Sequence, residues 1–226
     1  MMKIATDEAA RAEIMDRIRR ATTDITEKDP AVDVPITFTY GTGIDMDDVV
    51  ATFVEKVLDY KAAVVRVPAA QVPQAVVDGL AATGATRSVV VPAGLDKAWV
   101  TAIAANGLEV VTDSAEVTHD QLNQIDAVVT AATSAIADTG TILLTHGADQ
   151  GRRAITLVPD RHICVVLASQ VVSDLPESLR DVRADVDAGQ PLTMISGGSA
   201  TSDIELSRVD GVHGPRRLHV IVVDDA

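Results

Sequence analysis

The feature that most constrains the fold is a regular alternation of short apolar runs and amphipathic segments between residues 45 and 131. The runs "AAVVRV", "RSVVVP", "LEVVT" and "DAVVTAAT" are rich in valine and are each bounded by turn residues. Between them, apolar residues recur three and four positions apart, which is the spacing of a helix face. Strands that alternate with helices through short links are typical of βαβ units. The sequence therefore predicts an α/β fold with a mostly parallel sheet sandwiched by helices.

The pattern changes after residue 133. The runs "GTILLT", "AITLVP" and "HICVVLA" follow one another through loops too short for crossover helices. We therefore expect these runs to be strands of an antiparallel meander inserted late in the chain. A further helix over "DLPESLRDVRADVDAG" and two strands, "PLTMIS" and "RRLHVIVVD", complete the predicted order.

The first forty residues differ from the rest. An N-terminal helix carries an apolar stripe of Ile14, Met15 and Ile18 between charged faces, and a loosely patterned stretch with two prolines follows it. We expect residues 1–40 to form this helix and an extended linker, and residues 41–226 to form a single domain. A chain of 226 residues is long enough for one substantial core.

Composition argues against several classes of function. The formal net charge is −14 and aromatic residues make up 2% of the chain, so neither phosphate attraction nor base stacking favours nucleic-acid binding. No apolar run reaches the roughly 20 residues needed to cross a bilayer, and the N-terminus has no secretory apolar region. We expect a cytoplasmic protein without membrane contact.

The cysteine and histidine content predicts no metal or cluster site. A single cysteine, Cys164, lies in an apolar run, whereas an iron–sulfur cluster needs about four thiolates. We expect Cys164 to be a buried small apolar residue, and His146 and His162 to be structural histidines. Phosphate-loop, nucleophile-elbow and zinc-protease motifs are absent from the sequence.

Three polar clusters are candidates for a site. The first is Asp138, Thr139, Gly140 and Thr141, between two apolar strands. An Asp-Thr-Gly stretch forms a tight turn, which is the interpretation we favour for the cluster alone. Its glycine also allows a ligand to approach the backbone, and its hydroxyl groups supply donors. The second cluster contains Arg152 and Arg153, whose guanidinium groups can bind a carboxylate or phosphate or form solvated ion pairs with acids.

The third cluster follows the predicted strand "PLTMIS" and carries the most polar groups. Its members are Ser196, Gly197, Gly198, Ser199, Thr201 and Asp203. A glycine- and serine-rich loop between a strand and a helix start exposes backbone N–H groups that bind anions. Asp203 and Glu205 add negative charge, which opposes a simple phosphate cradle. His213, between two glycines, is placed to act as a general acid or base.

The three clusters lie within stretches that resemble the LUD-domain family, and within it the lactate utilization protein C group. The stretches are "AIADTGTILL", "GRRAITLVPDRHICVV" and "SGGSATSDIELSRVDGVHGPRRLHVIVVD". The family pattern reads S-G-P-S-x-T-x-D-I-E, then G-V-H-G-P, then L-H-V-I. Two positions depart from it: Gly198 stands where proline is usual, and Arg161 where a second proline is commoner.

The resemblance implies a fold related to ribose-5-phosphate isomerase, glucosamine-phosphate deaminase and the CoA transferases. It also implies a role in oxidising L-lactate to pyruvate beside partner proteins that hold iron–sulfur clusters. This chain is then expected to bind no redox cofactor itself. Its oligomeric state is left open, a homo-oligomer included.

Two functions remain open from the sequence. In the first, the chain is a non-redox component of a lactate-oxidising complex, such as a subunit of an L-lactate dehydrogenase. In the second, it is a free-standing enzyme that acts on a small anionic metabolite, with Glu205 or Asp138 as acid, base or acyl acceptor, His213 as proton carrier and Arg152 as anion clamp. Both place a composite polar pocket between the first and third clusters. A purely structural role for each polar residue is the third alternative.

Overall fold

The computed structural model describes residues 7–27, 29–35, 41–202, 208–211 and 213–225. The helices in these ranges are α1 Asp7–Ala21, α2 Pro30–Asp33, α3 Val49–Asp59, α4 Val72–Thr83, α5 Lys97–Ala105, α6 His119–Gln124 and α7 Leu175–Asp187. The strands are β1 Ala63–Pro68, β2 Ser88–Val91, β3 Glu109–Thr112, β4 Ala127–Ala131, β5 Ser134–Ile136, β6 Thr141–Leu144, β7 Arg161–Leu167, β8 Val171–Val172, β9 Thr193–Ile195, β10 Ala200–Ser202, β11 Arg208–Asp210 and β12 Arg217–Asp224.

The chain divides into two compact units, Met1–Tyr40 and Gly41–Ala226. The first unit contains α1, which has the predicted amphipathic pattern. Its apolar residues Ile14, Met15 and Ile18 are exposed, and ion pairs one turn apart join Arg17 to Glu13 and Arg20 to Asp16. The predicted assignment of residues 1–40 and 41–226 to a linker segment and a single domain stays a prediction.

The second unit is built on a parallel sheet. Six strands lie in the order β1-β12-β7-β4-β2-β3, and every pair of neighbours is parallel. The central strands carry apolar side chains on both faces, as strands do when helices or a second layer cover each side. This arrangement confirms the predicted α/β fold with a mostly parallel sheet.

The two faces of this sheet are covered differently. On one face, α4 and α5 pack Val76, Leu80 and Ile103 against alternate strand residues such as Ile163 and Ile221. On the other face, α3 and a small second sheet bury Cys164, Val166, Val220 and Val222. The small sheet has the order β8-β5-β6-β9, in which β5–β6 and β6–β9 are antiparallel. Helix α7 packs Val182 against its outer side.

Several element ends lie where local sequence signals predict them. Thr118 and Gln121 form a capping box at the start of α6, and Gly84 adopts the left-handed conformation just past α4. Arg161 and Arg217 both donate to the carbonyl of Thr83, the last residue of α4, at 2.8 and 2.7 Å. Cations near these unpaired carbonyls complement the negative end of the helix dipole, which gives Arg161 a structural role.

Three expectations for the second half of the chain are wrong. Within "AITLVP" the structure has a 3-10 helix, Arg153–Thr156, because this segment buries Ile155 against Val90 and Val128 instead of pairing with a strand. The run "HICVVLA" is not part of the antiparallel meander, since the stretch 145–160 is long enough to return the chain to the amino edge of the main sheet. The loop after Ser199 leads into β10, which pairs with β11, and not into a helix.

The turn between β5 and β6 depends on a glycine. Gly140 has a φ angle of +59°, and a Cβ atom there would lie 2.8 Å from the backbone of Lys56 in α3. The turn therefore packs directly on the backbone of α3, and this contact joins the small sheet to the helix. None of the helices in the described ranges is long and apolar enough to cross a membrane.

We expect Gly140→Ala to cost more stability than Gly107→Ala. Both glycines have positive φ angles, which cost an alanine roughly 1 kcal/mol, but no atom lies within 4 Å of a Cβ at Gly107. The clash with α3 adds about 1–3 kcal/mol at position 140. Urea unfolding measures the free energy of unfolding of both variants. Equal decreases in the two would show that the contact of Gly140 with α3 does not contribute to stability.

Candidate functional site

A chain of hydroxyl groups joins the first and third polar clusters. The Oγ1 atoms of Thr139 and Thr141 are 2.8 Å apart, and Thr141 Oγ1 is 2.7 Å from Ser196 Oγ. This contact arises because β6 and β9 are antiparallel neighbours, with Ile142 opposite Ile195, so the residues just beyond this pair also meet. The structure thus brings Thr139, Thr141 and Ser196 together.

Ser199 fastens the loop after β9 to the segment before β12. Its N–H donates to the carbonyl of Pro215 at 2.8 Å, and its carbonyl accepts from the N–H of Gly211 at 2.9 Å. Its hydroxyl oxygen accepts from the N–H of His213 at 3.1 Å. These three hydrogen bonds use the N–H, carbonyl and hydroxyl groups of Ser199. They hold in place the segment that carries the exposed side chain of His213.

Two glycines of this loop are required by close packing. Gly197 has a φ angle of +81°, and a Cβ there would lie 2.6 Å from Cβ of Tyr60. A Cβ at Gly198 would collide with the carbonyl oxygen of Arg216. A proline at position 198 would therefore require the backbone at residues 215–216 to move.

The joined loops form one wall of a cavity of about 250 Å³. The cavity lies where the first residues of β7 and β12 face strand β9 of the small sheet. Its lining mixes hydroxyl groups, backbone groups and apolar side chains: Thr156, Leu157, His162, Thr193, Met194, Ile195, Ser196, Gly197, Gly198, Ser199, His213, Gly214, Pro215 and Leu218. The volume is just below the range of about 300–1,000 Å³ typical of drug-sized ligands, so the pocket suits a small metabolite.

His162 is the pocket residue that sequence reasoning assigned only a structural role. The side chain is 1% exposed, and its Nε2 atom lies 2.8 Å from Thr130 Oγ1. Burial lowers the pKa of His162 to about 4, so the imidazole is neutral at pH 7. The sequence signal for this position is a histidine at the start of a strand that is apolar from Ile163 to Leu167.

Other candidate residues lie elsewhere. Asp138 and Thr139 are exposed in the β5–β6 turn outside the pocket lining, and the N–H of Asp138 donates to the carbonyl of Ser173. Gly140 is accounted for by its packing on α3. Thr201 lies in β10, opposite Val209. Asp203 and Glu205 lie outside the described residues, so their predicted roles stay predictions.

The structure does not bring Arg152 to this pocket. Its guanidinium group forms two hydrogen bonds to Oδ1 of the buried Asp113, at 2.6 and 2.9 Å, and a third to the carbonyl of Val117. The group is thus held by an internal ion pair in a different cavity. Asp113 lies 39 positions earlier in the sequence, so sequence spacing gave no sign of this pair.

Two observations describe the cysteine and the clusters of metal-ligating side-chain types in the described residues. Cys164 is buried, and burial raises the pKa of its thiol to about 12. Within the described ranges, no group of three or more His, Cys, Asp or Glu side chains is arranged to hold a metal ion.

The fold and the pocket define an open-sheet α/β protein with a polar cavity beside the amino ends of β7 and β12. The chain belongs to the LUD-domain family, since the model of the LUD domain matches residues 4–223.

Similar proteins are known from several bacteria. The chain is 50% identical over 176 residues to lactate utilization protein C of Deinococcus radiodurans. This match covers 78% of this chain and 80% of that protein. Lactate utilization protein C of Halalkalibacterium halodurans is 34% identical over 110 residues, and this match spans 47% of each chain. The crystal structure of a DUF162 family protein from D. radiodurans matches with a TM-score of 0.66 and 45% identity, covering 77% of this chain and 96% of that one.

We expect the free energy of unfolding to fall by about 3 kcal/mol because of His162 between pH 6.5 and pH 4. In this window the unfolded chain binds a proton at His162 and the folded protein does not, so acid favours unfolding. Burial also lowers the pKa of His219, which adds an effect of the same sign.

Urea unfolding across this pH range measures the effect in the wild type, in His162→Gln and in His119→Gln, whose histidine is exposed. The His162 variant should show a flatter pH dependence, whereas the His119 variant should match the wild type. Titration of the His162 ring by NMR in the unmodified protein gives the pKa directly. A pKa near 6.5 would contradict the prediction.

Proposed function

We propose that this chain is a cytoplasmic component of a lactate utilization system that oxidises L-lactate to pyruvate. The observation that carries the proposal is its 50% identity to lactate utilization protein C of D. radiodurans over four-fifths of that protein. We further propose that the electrons pass to partner proteins with iron–sulfur clusters, and that this chain binds no redox cofactor. The lone buried Cys164 supports this division of roles, because a cluster needs several thiolate ligands.

The polar pocket is the site we propose for the hydroxy acid or its keto product. Such a molecule carries a carboxylate and one further oxygen, and it needs several hydrogen-bond donors around a small apolar centre. Beside the apolar Leu157 and Leu218, the pocket offers the hydroxyl group of Ser196 as a donor and that of Thr193 as an acceptor, since Thr193 donates its own proton to His146. His213, on the exposed part of the lining, is the proposed proton carrier.

The remaining predicted residues have defined places in this proposal. Asp203 and Glu205 follow Thr201 in the same sequence motif, and we propose them as the acids that complete the pocket. Thr139 and Thr141 act through Ser196, whose hydroxyl group they orient. Asp138 lies in the same turn, outside the pocket lining, and we propose Glu205 ahead of it as the acid of the site. Gly197, Gly198 and Ser199 shape the wall of the pocket.

Growth of a deletion strain tests the pathway. Removing the gene should abolish growth on L-lactate as sole carbon source and leave growth on pyruvate unchanged, because only the oxidation step is lost. Normal growth on L-lactate would contradict the proposal. Turnover of a sugar phosphate or a CoA thioester by the purified chain alone would instead favour the free-standing enzyme.

Filling the pocket tests its part in this function. A Cβ at Gly214 lies 3.9 Å from Leu157 Cδ2 and from Ser199 Cβ, so alanine fits there and a larger side chain projects into the cavity. We expect Gly214→Leu to fail to restore growth of the deletion strain on L-lactate and Gly214→Ala to restore it. Circular dichroism and protein levels should match for both variants. Full restoration by the folded Gly214→Leu protein would exclude the pocket as the site.

Affinity purification tests the proposed partners. The tagged chain isolated from lactate-grown cells should carry proteins that contain iron and acid-labile sulfide, while the chain expressed alone should contain neither. Recovery of the chain without iron-containing partners would contradict this part of the proposal.

A further inference from the structure

A second cavity, of about 610 Å³, lies past the carboxyl ends of β2 and β3. It is lined by residues that directly follow these strands, among them Ala93 and Asp113, and by parts of the loop 146–153. The chain leaves β2 toward β3 on one side and leaves β4 toward β7 on the other. Open α/β sheets bind ligands in the crevice at such a switch point, beyond the carboxyl ends of the strands.

The loop over this cavity is fixed to the sheet at two places. The carbonyl of Ala148 accepts from the N–H of Gly94, just after β2, at 2.8 Å. The carbonyl of Asp149 accepts from the N–H of Ala131, the last residue of β4, at 3.1 Å. The loop therefore bridges the ends of two neighbouring strands, and its geometry is set by the sheet.

His146 holds the start of the loop in an unusual backbone conformation. Its φ angle is +60°, and its ring nitrogens contact the carbonyl of Gly151 at 3.0 Å and Thr193 Oγ1 at 2.8 Å. Because a carbonyl oxygen only accepts, Nδ1 carries the proton and Nε2 accepts from the hydroxyl group of Thr193. Burial lowers the pKa of His146, so it is a neutral clamp and not a cation of the site.

The charges around the cavity leave one cation without a partner. Arg152 is neutralised by Asp113 through the two short hydrogen bonds described above. Two further carboxylates belong to the hydrogen bonds around the loop 146–153, and both accept from neutral side chains. Asp149 accepts from the amide group of Gln150, and Asp185 accepts from the hydroxyl group of Thr145. Across the described part of the chain, the guanidinium group of Arg153 has neither a hydrogen bond nor an ion pair, and only its backbone carbonyl is used, by the hydroxyl group of Thr156.

The loop also presents unsatisfied donors. The backbone N–H groups of Gly147 and Ala148 have no acceptor among the described residues, and both residues line the cavity beside Arg153. A guanidinium group next to free backbone N–H groups is a donor set that matches an oxyanion.

We propose that this carboxyl-edge cavity is a second ligand site, which binds the carboxylate or phosphate group of a small metabolite through Arg153 and the N–H groups of Gly147 and Ala148. Its volume is large enough to hold the rest of such a molecule as well. The site is separate from the polar pocket and does not depend on the proposed role in lactate oxidation. Thr193 lines the polar pocket and donates a hydrogen bond to His146, which lines the carboxyl-edge cavity. This bond connects the two sites.

Titration of the full chain with inorganic phosphate and, separately, with acetate tests the site by NMR. The amide signals of Gly147 and Ala148 should shift with at least one of the two anions, and the stronger response distinguishes a phosphate from a carboxylate ligand. Arg153→Gln should weaken this binding by about tenfold, because it removes a charge-assisted hydrogen bond.

Arg19→Gln is the matched control, since it removes the same charge from an exposed arginine of α1. It should leave the affinity unchanged, and so should Gly214→Leu, which fills only the polar pocket. Equal loss in both arginine variants would show that the anion senses net charge alone and would overturn the proposal. Absence of any shift at Gly147 and Ala148 with both anions would overturn it too.

Discussion

The structure depends on the double burial of β12 and β7 at the centre of the parallel sheet. Each strand packs alternate side chains against α4 and α5 on one face and against α3 and the small sheet on the other. Strand β12 follows all the other described strands in the sequence, yet it lies between β1 and β7. The sheet is therefore complete only when the C-terminal segment has been inserted, which couples both ends of the second unit to one core.

The two cavities follow from this arrangement. Residues 213–216 precede β12 directly and hold Ser199 by hydrogen bonds, so inserting β12 places Ser199 and His213 against the amino ends of the central strands. The loop 146–153 connects the small sheet back toward β7 and comes to lie over the carboxyl ends of β2 and β4. A polar pocket and a cationic cavity thus form around one buried sheet, and the Thr193–His146 hydrogen bond lies between them.

Local signals predicted the first half of the fold more accurately than the second. The capping box of Thr118 and the left-handed Gly84 each depend on a few neighbouring residues, and both are present in the structure. The run "AITLVP" has a strand-like composition, but tertiary burial of Ile155 selects a 3-10 helix. In the site, the predicted Ser196–Ser199 loop and His213 do line one pocket. His162, expected to be a structural histidine, is buried and hydrogen-bonded to Thr130, and its place beside the cavity depends on strands that are distant in sequence.

The sequence by itself determined the alternation of elements, the helix caps, the family and the polar segments from which a site is built, because each of these is written in consecutive residues. Only the tertiary structure decided which segments meet. It places Thr141 beside Ser196 and Arg152 beside Asp113, while the side chain of Arg153 has no hydrogen bond or ion pair among the described residues. The reason is that hydrogen bonds and ion pairs form between groups brought together by strand order and layer packing, and sequence distance does not encode either.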